Sequence, residues 1–224
     1  MSLTVTLSTI IIFVLSFSLS TVITASYRSR RTSSLLMWSA GLWIFSLAVL
    51  LEILFSVGIY SQLLIKSYLV LVALLVEMLA MGSVLLLRNK KLTAGYTAYA
   101  FLSTVFLVYI MASAGSFGNL LSSGVVFGLI PIMVAIGSAM ISGPAAVLLI
   151  LISAVSYRKR KDPKLLSIIA GVVVVSIAGS LYIAAFPAFL YYSEFIGVLL
   201  LWLGFVDFRN IMSNWRLVKK NVVN

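Results

Sequence analysis

Four of the five acidic side chains in this sequence, all except Asp162 in a predicted loop, are the groups best suited to bind a proton or a cation. One of them, Glu77, lies eleven residues before Arg88, the first basic residue after a long apolar stretch. At the rise of an α-helix this places it about 16 Å inside that boundary, near the centre of a bilayer. A carboxyl group at this depth is costly and by default indicates a function. We expect Glu77 either to bind a proton or cation, or to be neutral or hydrogen-bonded inside a helix bundle.

An internal repeat points to a second candidate, Asp207. The segment 26–54 recurs 130 positions later without a gap, with 12 identical pairs in 29 positions. In this register Glu77 corresponds to Asp207, so the two carboxylates are predicted at similar depth, where they could take up and release a proton or cation. The alternative is that the last helix ends at Phe208 and leaves Asp207 at the interface beside Arg209.

Three other charged residues, Glu52, Lys66 and Glu194, are predicted at the helix ends farthest from the remaining basic residues. Lys66 is the one cation at this end, so we expect it to form an ion pair with one of the glutamates. The pair is either structural or part of a gate or ligand clamp. Tyrosines near these residues, among them Tyr68, indicate either an interfacial aromatic belt or a ligand pocket.

The fold of the chain must position these residues, and the composition of the chain is typical of an integral membrane protein. Of the 224 residues, 62% are hydrophobic and 9% are charged, whereas soluble domains are usually about 45–50% apolar and about 25% charged. A helix needs about 20 apolar residues to cross a bilayer. Seven stretches satisfy this length: residues 3–26, 34–58, 62–87, 93–114, 128–155, 165–186 and 189–208.

Basic residues predict the orientation of these stretches. Fifteen of the 16 Lys and Arg residues follow the first, third, fifth or seventh stretch, and Lys66 is the exception. The positive-inside rule then places the N-terminus outside and the C-terminus in the cytoplasm of a multi-pass protein of the cell membrane. The net charge of +11 is spread over short loops and a short tail. We therefore expect the lipid bilayer, and not a nucleic acid, as the partner of these charges.

The absence of cysteine and histidine narrows the chemistry. It removes disulfides, thiolate metal sites, the usual ligands of haem and copper, and the commonest general base. The sequence also contains no recognisable pair of nucleophile and base and no phosphate-binding loop. We predict no metal, no cofactor and no enzymatic activity.

The repeat also predicts how the helices are arranged. Its register matches the first three stretches with the last three and leaves the fourth between them, so that both triplets have the same orientation. We predict an all-α polytopic membrane protein with seven transmembrane helices in a parallel 3+1+3 repeat. Its parts are the first triplet (1–91), a linker helix with an outer loop (92–127), and the second triplet with a basic tail (128–224).

Small residues mark one face of the second and of the sixth stretch. Gly41 and Ala48 are seven residues apart, as are Gly171 and Ala178 at the repeated positions. Small residues let helices approach closely in lipid. They indicate either a packing seam within each triplet or the lining of a substrate path.

The fifth stretch contains Gly143 and Pro144 near its middle. Proline removes a helical hydrogen bond, so this helix is predicted to be bent or broken where the first stretch is straight. The break is either a gate or ligand site, or a purely structural kink.

Seven helices, an outer N-terminus and the 3+1+3 repeat resemble the SWEET and PQ-loop transporters. The resemblance is architectural and covers all seven stretches. The sequence has no Pro-Gln dipeptide and one mid-helix proline, so no substrate residue is carried over. A looser resemblance to rhodopsin-like proteins does not extend to retinal, because residues 189–208 contain no lysine.

Part of the sequence is also similar to the seven-helix N-terminal sensor modules of some histidine kinases. The similar pattern runs from Gly41-Leu42-Trp43 through Leu51-Glu52 to Tyr68. We expect no output domain after Lys220, and a sensor of this kind is then expected to signal through a partner.

Three functions follow from these observations. The first is a carrier for a small solute, coupled to a proton or cation and working between the two triplets. The second is a ligand-sensing module, and the third is a non-catalytic subunit of a larger membrane complex. The protein partner expected from these alternatives is either a second copy of the chain or another subunit of a membrane complex.

Overall fold

The computed structural model describes residues 3–117, 121–122, 125–126, 131–161, 164, 166–168, 170–171, 174 and 187–206. In these parts the chain is helical apart from one short hairpin. The helices are α1 (Leu3–Arg30), α2 (Ser33–Ser56), α3 (Gln62–Leu86), α4 (Lys90–Ser113), α5 (Ile132–Arg160), α6 (helical residues between 164 and 174) and α7 (Pro187–Phe205).

Five of the described helices, α1 to α5, are long and apolar enough to cross a membrane. This confirms a helical protein with several apolar helices, and their lengths and composition are compatible with the predicted integral membrane protein. The described apolar part of α7 is shorter, from Tyr192 to Phe205. The sixth predicted stretch, residues 165–186, falls largely outside the described residues.

The α4–α5 connection contains a small hairpin that the sequence did not predict. Strands β1 (Leu121–Ser122) and β2 (Val125–Val126) pair in antiparallel fashion, with Leu121 opposite Val126. Strand β2 lies against α2.

Helix α3 lies at the centre of the described bundle. It packs against α2, α4 and α5, while α1 packs against α2 and α7. A seam of hydroxyl groups joins α1 to α2, where Ser20 lies 3.1 Å from Ser46 and Thr24 lies 2.6 Å from Ser39. Each of these hydroxyls finds a partner within the bundle, as buried polar groups must in lipid.

The C-terminal ends of α1 and α5 have the same geometry. Arg31 and Lys161 follow these helices with left-handed φ angles of 45° and 50°. Their backbone N–H groups donate to the carbonyl oxygens of Tyr27 and Tyr157, each over 2.7 Å. The residues that make these two caps are 130 positions apart, the spacing of the sequence repeat.

Glycines bring α2 and α3 into close contact. A Cβ on Gly82 would clash with the indole of Trp38 and lie 2.9 Å from the carbonyl oxygen of Ser34. A Cβ on Gly41 would lie 3.3 Å from the carbonyl oxygen of Leu75. Each helix therefore contributes a glycine to the interface, which allows the two backbones to approach.

The contact between α6 and α7 has the same construction. A Cβ on Gly204 would clash with Ile168 and lie 3.1 Å from the carbonyl oxygen of Lys164, and a Cβ on Gly171 would lie 3.2 Å from that of Gly197. These residues occupy the same roles as those of the α2–α3 contact.

The number of residues that separates corresponding positions in the two contacts is not the same for α2 and α6 as for α3 and α7. Ile168 follows Trp38 by 130 residues, as in the sequence repeat, but Gly204 follows Gly82 by 122. The packing of α7 is therefore displaced by eight residues from the ungapped register.

Candidate functional site

Two buried carboxyl groups meet where α2, α3 and α7 come together. Glu52 near the end of α2 and Glu194 near the start of α7 are 5% and 7% exposed. Their carboxyl groups lie close enough to interact with each other. The Tyr68 hydroxyl of α3 donates to Oε1 of Glu52 over 2.7 Å. Three helices thus supply one compact acidic cluster at the end of the bundle away from the basic loops.

The remaining oxygen of each carboxyl group lacks a donor. Among the described residues, neither Oε2 of Glu52 nor Oε2 of Glu194 accepts a hydrogen bond, although both atoms are buried. Ionised carboxylates are acceptors only, so the contact between them becomes a hydrogen bond only when one carries a proton. The arrangement suits the uptake and release of one positive charge.

Apolar residues and aromatic rings surround this cluster. Phe55 packs edge-on against Tyr68, with ring centroids 5.8 Å apart. One turn toward the centre of the bundle lie Ala48 on α2 and Val198 on α7, both fully buried. These neighbours exclude water and offer no charge to either carboxyl group.

Lys66 does not form the ion pair predicted from the sequence. Its Nζ donates to the carbonyl oxygen of Ala114 over 2.6 Å and lies 5.4 Å from the ring centroid of Phe117. Ala114 ends α4 and leaves a carbonyl without a helical donor, which attracts a cation. In the described part of the chain, Glu52 and Glu194 therefore pair with each other, and Lys66 holds the segment after α4.

Glu77 forms a separate site between α3 and α4. The Thr104 hydroxyl donates to Oε2 over 2.8 Å, and the Ser103 hydroxyl lies 3.4 Å from Oε1. Glu77 itself is 3% exposed. Its carboxyl group is thus hydrogen-bonded inside the bundle and lies apart from the Glu52–Glu194 cluster.

Asp207, the residue paired with Glu77 by the ungapped repeat, lies outside the described residues. Helix α7 is described to Phe205. The structure therefore brings together two of the five ligand-binding candidates, Glu52 and Glu194, and places Lys66 and Glu77 elsewhere.

Of the bend or break predicted at Gly143 and Pro144 in α5, the structure excludes the break. The helix is continuous from Ile132 to Arg160 with Pro144 inside it. Proline leaves the carbonyl oxygen four residues earlier, that of Met140, without a donor. The Tyr99 hydroxyl of α4 donates to that oxygen over 2.5 Å. A Cβ on Gly143 would meet no neighbouring atom within 4 Å.

Sequence reasoning missed three of these partners: Thr104, Tyr99, and Tyr68 as a donor to Glu52. The sequence does contain a signal that Thr104 lies near Glu77. Glu77 is 12 residues before Asn89, the residue that caps the start of α4, and Thr104 is 15 residues after it. Antiparallel neighbours at similar distances from a short turn lie at similar depth. The same argument applies to Glu52 and Tyr68 around the α2–α3 turn.

Comparison with known proteins adds no relative. The chain has no significant match to a protein-family model, to a curated protein or to a solved structure.

Proposed function

We propose that this integral membrane protein is a carrier that moves a small solute, coupled to a proton or cation, between two helix triplets. The observation that supports it is the buried contact between Glu52 of α2 and Glu194 of α7. Two carboxyl groups in contact repel each other when both are ionised and attract when one is protonated. Binding or loss of one charge would therefore change the affinity of α2 for α7, as a coupled carrier requires.

The triplets in this proposal are α1–α3 and α5–α7, with α4 between them. Support comes from the matched glycine contacts in α2–α3 and α6–α7, and from the matched caps of α1 and α5. If the triplets are repeats, the offset of 122 in the last helix makes Leu199 the counterpart of Glu77. Asp207 then corresponds to Leu85, near the end of α3. The proposal thus rests on the Glu52–Glu194 pair and not on a symmetric pair of Glu77 and Asp207.

The orientation in this proposal follows the positive-inside rule, with the N-terminus outside the cell membrane and the C-terminus in the cytoplasm. The Glu52–Glu194 pair then lies toward the outside. Ala48 and Val198, one turn deeper, lie on the path that a carrier would open to each side in turn.

Accessibility of these two positions tests the proposal. The chain contains no cysteine, so Ala48→Cys and Val198→Cys each introduce a single reactive thiol. Each variant is treated with a membrane-impermeant maleimide in right-side-out and in inside-out vesicles. A carrier that alternates between two states predicts labelling of both positions from both sides.

Two exposed positions provide controls. Leu63 at the start of α3 is 74% exposed, and Lys91 at the start of α4 is also exposed. Leu63→Cys should react from the outside alone and Lys91→Cys from the cytoplasmic side alone, which also tests the orientation. Labelling of Ala48→Cys and Val198→Cys from the outside alone would favour a sensor. No labelling from either side would favour a non-catalytic subunit.

A further inference from the structure

We infer that the coupling ion is a proton, shared between the carboxyl groups of Glu52 and Glu194. The inference rests on the proposed carrier function and names the ion that the cluster binds. It follows from the number and kind of oxygen atoms at the site.

The oxygen atoms of the site need one more donor hydrogen than the described residues supply. Tyr68 has a single hydroxyl proton, which it donates to Oε1 of Glu52. The buried Oε2 atoms of Glu52 and Glu194 have no donor among the described residues. One proton on either carboxyl group would convert their contact into an O–H···O hydrogen bond, and such a bond to an ionised acceptor is a strong one.

The same set of oxygen atoms is too small for a metal ion. Calcium takes about 6–8 oxygen ligands and magnesium needs a near-ideal octahedron, whereas the described residues supply two carboxyl groups and one phenol here. No group of three or more acidic, histidine or cysteine side chains occurs within the described chain. Ser56, one turn along α2 from Glu52, donates its hydroxyl to the carbonyl oxygen of Ile53. One turn after Glu194 on α7, Gly197 and Val198 add no side-chain oxygen.

The other titratable side chains described at this end of the bundle are held by other partners or are exposed. Lys66 of α3 is held by Ala114. Tyr60 and Tyr192 are 60% and 68% exposed. Helix α1 carries its titratable side chains, from Tyr27 onward, at the opposite end, and in α6 the described titratable residue is Lys164, also at that end. Among the described residues at this end, the Glu52–Glu194 pair with Tyr68 is therefore the buried unit to which we assign the proton.

The two helices α2 and α7 are linked when the carboxyl pair holds the proton and are not linked when the proton has left. With the proton bound, a hydrogen bond joins the two helices and the pair carries a single negative charge. When the proton leaves, two buried anions are in contact and repel each other. Separation of α7 from α2 then lets water reach both carboxylates, which opens the path past Ala48 and Val198.

Infrared difference spectroscopy of the purified protein in liposomes tests the shared proton. The wild-type protein should show a carboxylic-acid C=O band at pH 7 that disappears as the pH is raised. Glu52→Gln and Glu194→Gln should each remove the whole band, because the glutamine amide donates to the remaining carboxylate. Two independently protonated acids would instead lose a separate band in each variant. Glu77→Gln is the matched control and should leave the band in place.

A titration of the wild-type protein with Na⁺, K⁺ or Ca²⁺ at constant pH needs no substitution, so misfolding of a variant cannot obscure it. Loss of the band on adding any of these ions, or an unchanged band in both glutamine variants, would overturn the proton inference. The thiol-labelling experiment separates this failure from that of the carrier. If both thiols are labelled from both sides but the carboxylic-acid band is absent, the proton inference alone is rejected. If the thiols are labelled from one side only, the carrier function is rejected, and the coupling to a proton is rejected with it.

Discussion

Tyr99 donates a hydrogen bond to the backbone carbonyl of Met140, which Pro144 leaves without its helical donor. In an uninterrupted α-helix the N–H of residue 144 would bind this oxygen, and proline has none. A tyrosine from the neighbouring helix α4 supplies the missing hydrogen. The proline therefore fastens α5 to α4 instead of breaking α5.

Replacement of Tyr99 by Phe should lower the free energy of unfolding by about 1 kcal/mol, because the Met140 carbonyl loses its donor. The cost should shrink in a Pro144→Ala background, where the restored N–H can bind the same oxygen. A denaturant titration of the four proteins in mixed micelles measures this coupling. Tyr109→Phe is the control, since Tyr109 is 69% exposed. Equal costs of Tyr99→Phe in both backgrounds would contradict the assignment.

The Gly82–Trp38 contact predicts a second stability change. Gly82→Ala places a methyl group against the indole of Trp38 and should destabilise the protein by about 1–3 kcal/mol. Gly204→Ala should behave alike against Ile168. Gly95→Ala should instead stabilise by up to about 1 kcal/mol, because a Cβ there meets no atom within 4 Å. Thermal unfolding in detergent ranks the three variants, and a tolerated Gly82→Ala would rule out the close α2–α3 contact.

Thr104 should be the principal donor to Glu77. Thr104→Val keeps the shape of the side chain but leaves Oε2 of Glu77 without its hydrogen bond, at a cost of about 1–3 kcal/mol. Ser103→Ala should cost less, because the Ser103 hydroxyl lies nearer to the Tyr99 carbonyl (2.9 Å) than to Glu77 (3.4 Å). In a Glu77→Leu background the effect of Thr104→Val should vanish. A cost of Thr104→Val that persists there would disprove the assignment. The measured quantity is the unfolding free energy in mixed micelles.

Gln62 should protect the segment after α4 from hydrogen exchange. Its amide donates to the carbonyl of Phe117 over 2.8 Å and accepts from the N–H of Phe117 over 2.9 Å. Gln62→Leu should speed amide exchange at Phe117, because that N–H loses its acceptor. Gln62→Glu keeps an acceptor oxygen and should preserve most of the protection. Hydrogen–deuterium exchange with mass spectrometry reads both variants, and unchanged exchange in Gln62→Leu would count against the contact.

The helices were predictable because each one corresponds to a continuous apolar stretch of the sequence, and most of these stretches are bounded by basic residues. The transition at Arg88 predicts the end of α3 to within about two residues, and Asn89 provides the cap that starts α4. The hydrogen-bonded state of Glu77 was one of two alternatives that its depth left open. Continuity of α5 through Pro144 was not predictable, because the compensating donor, Tyr99, lies 45 residues away in the sequence.

The sequence by itself determined that this protein has many long apolar helices, the approximate positions of the first five, and that few carboxyl groups lie inside them. The tertiary structure decided which of those groups meet. Glu52 and Glu194 are 142 residues apart, and their contact depends on the crossing and register of α2, α3 and α7. That register follows from where glycines let helix backbones approach. Such approaches are set by packing between distant segments, which an ungapped sequence repeat does not specify.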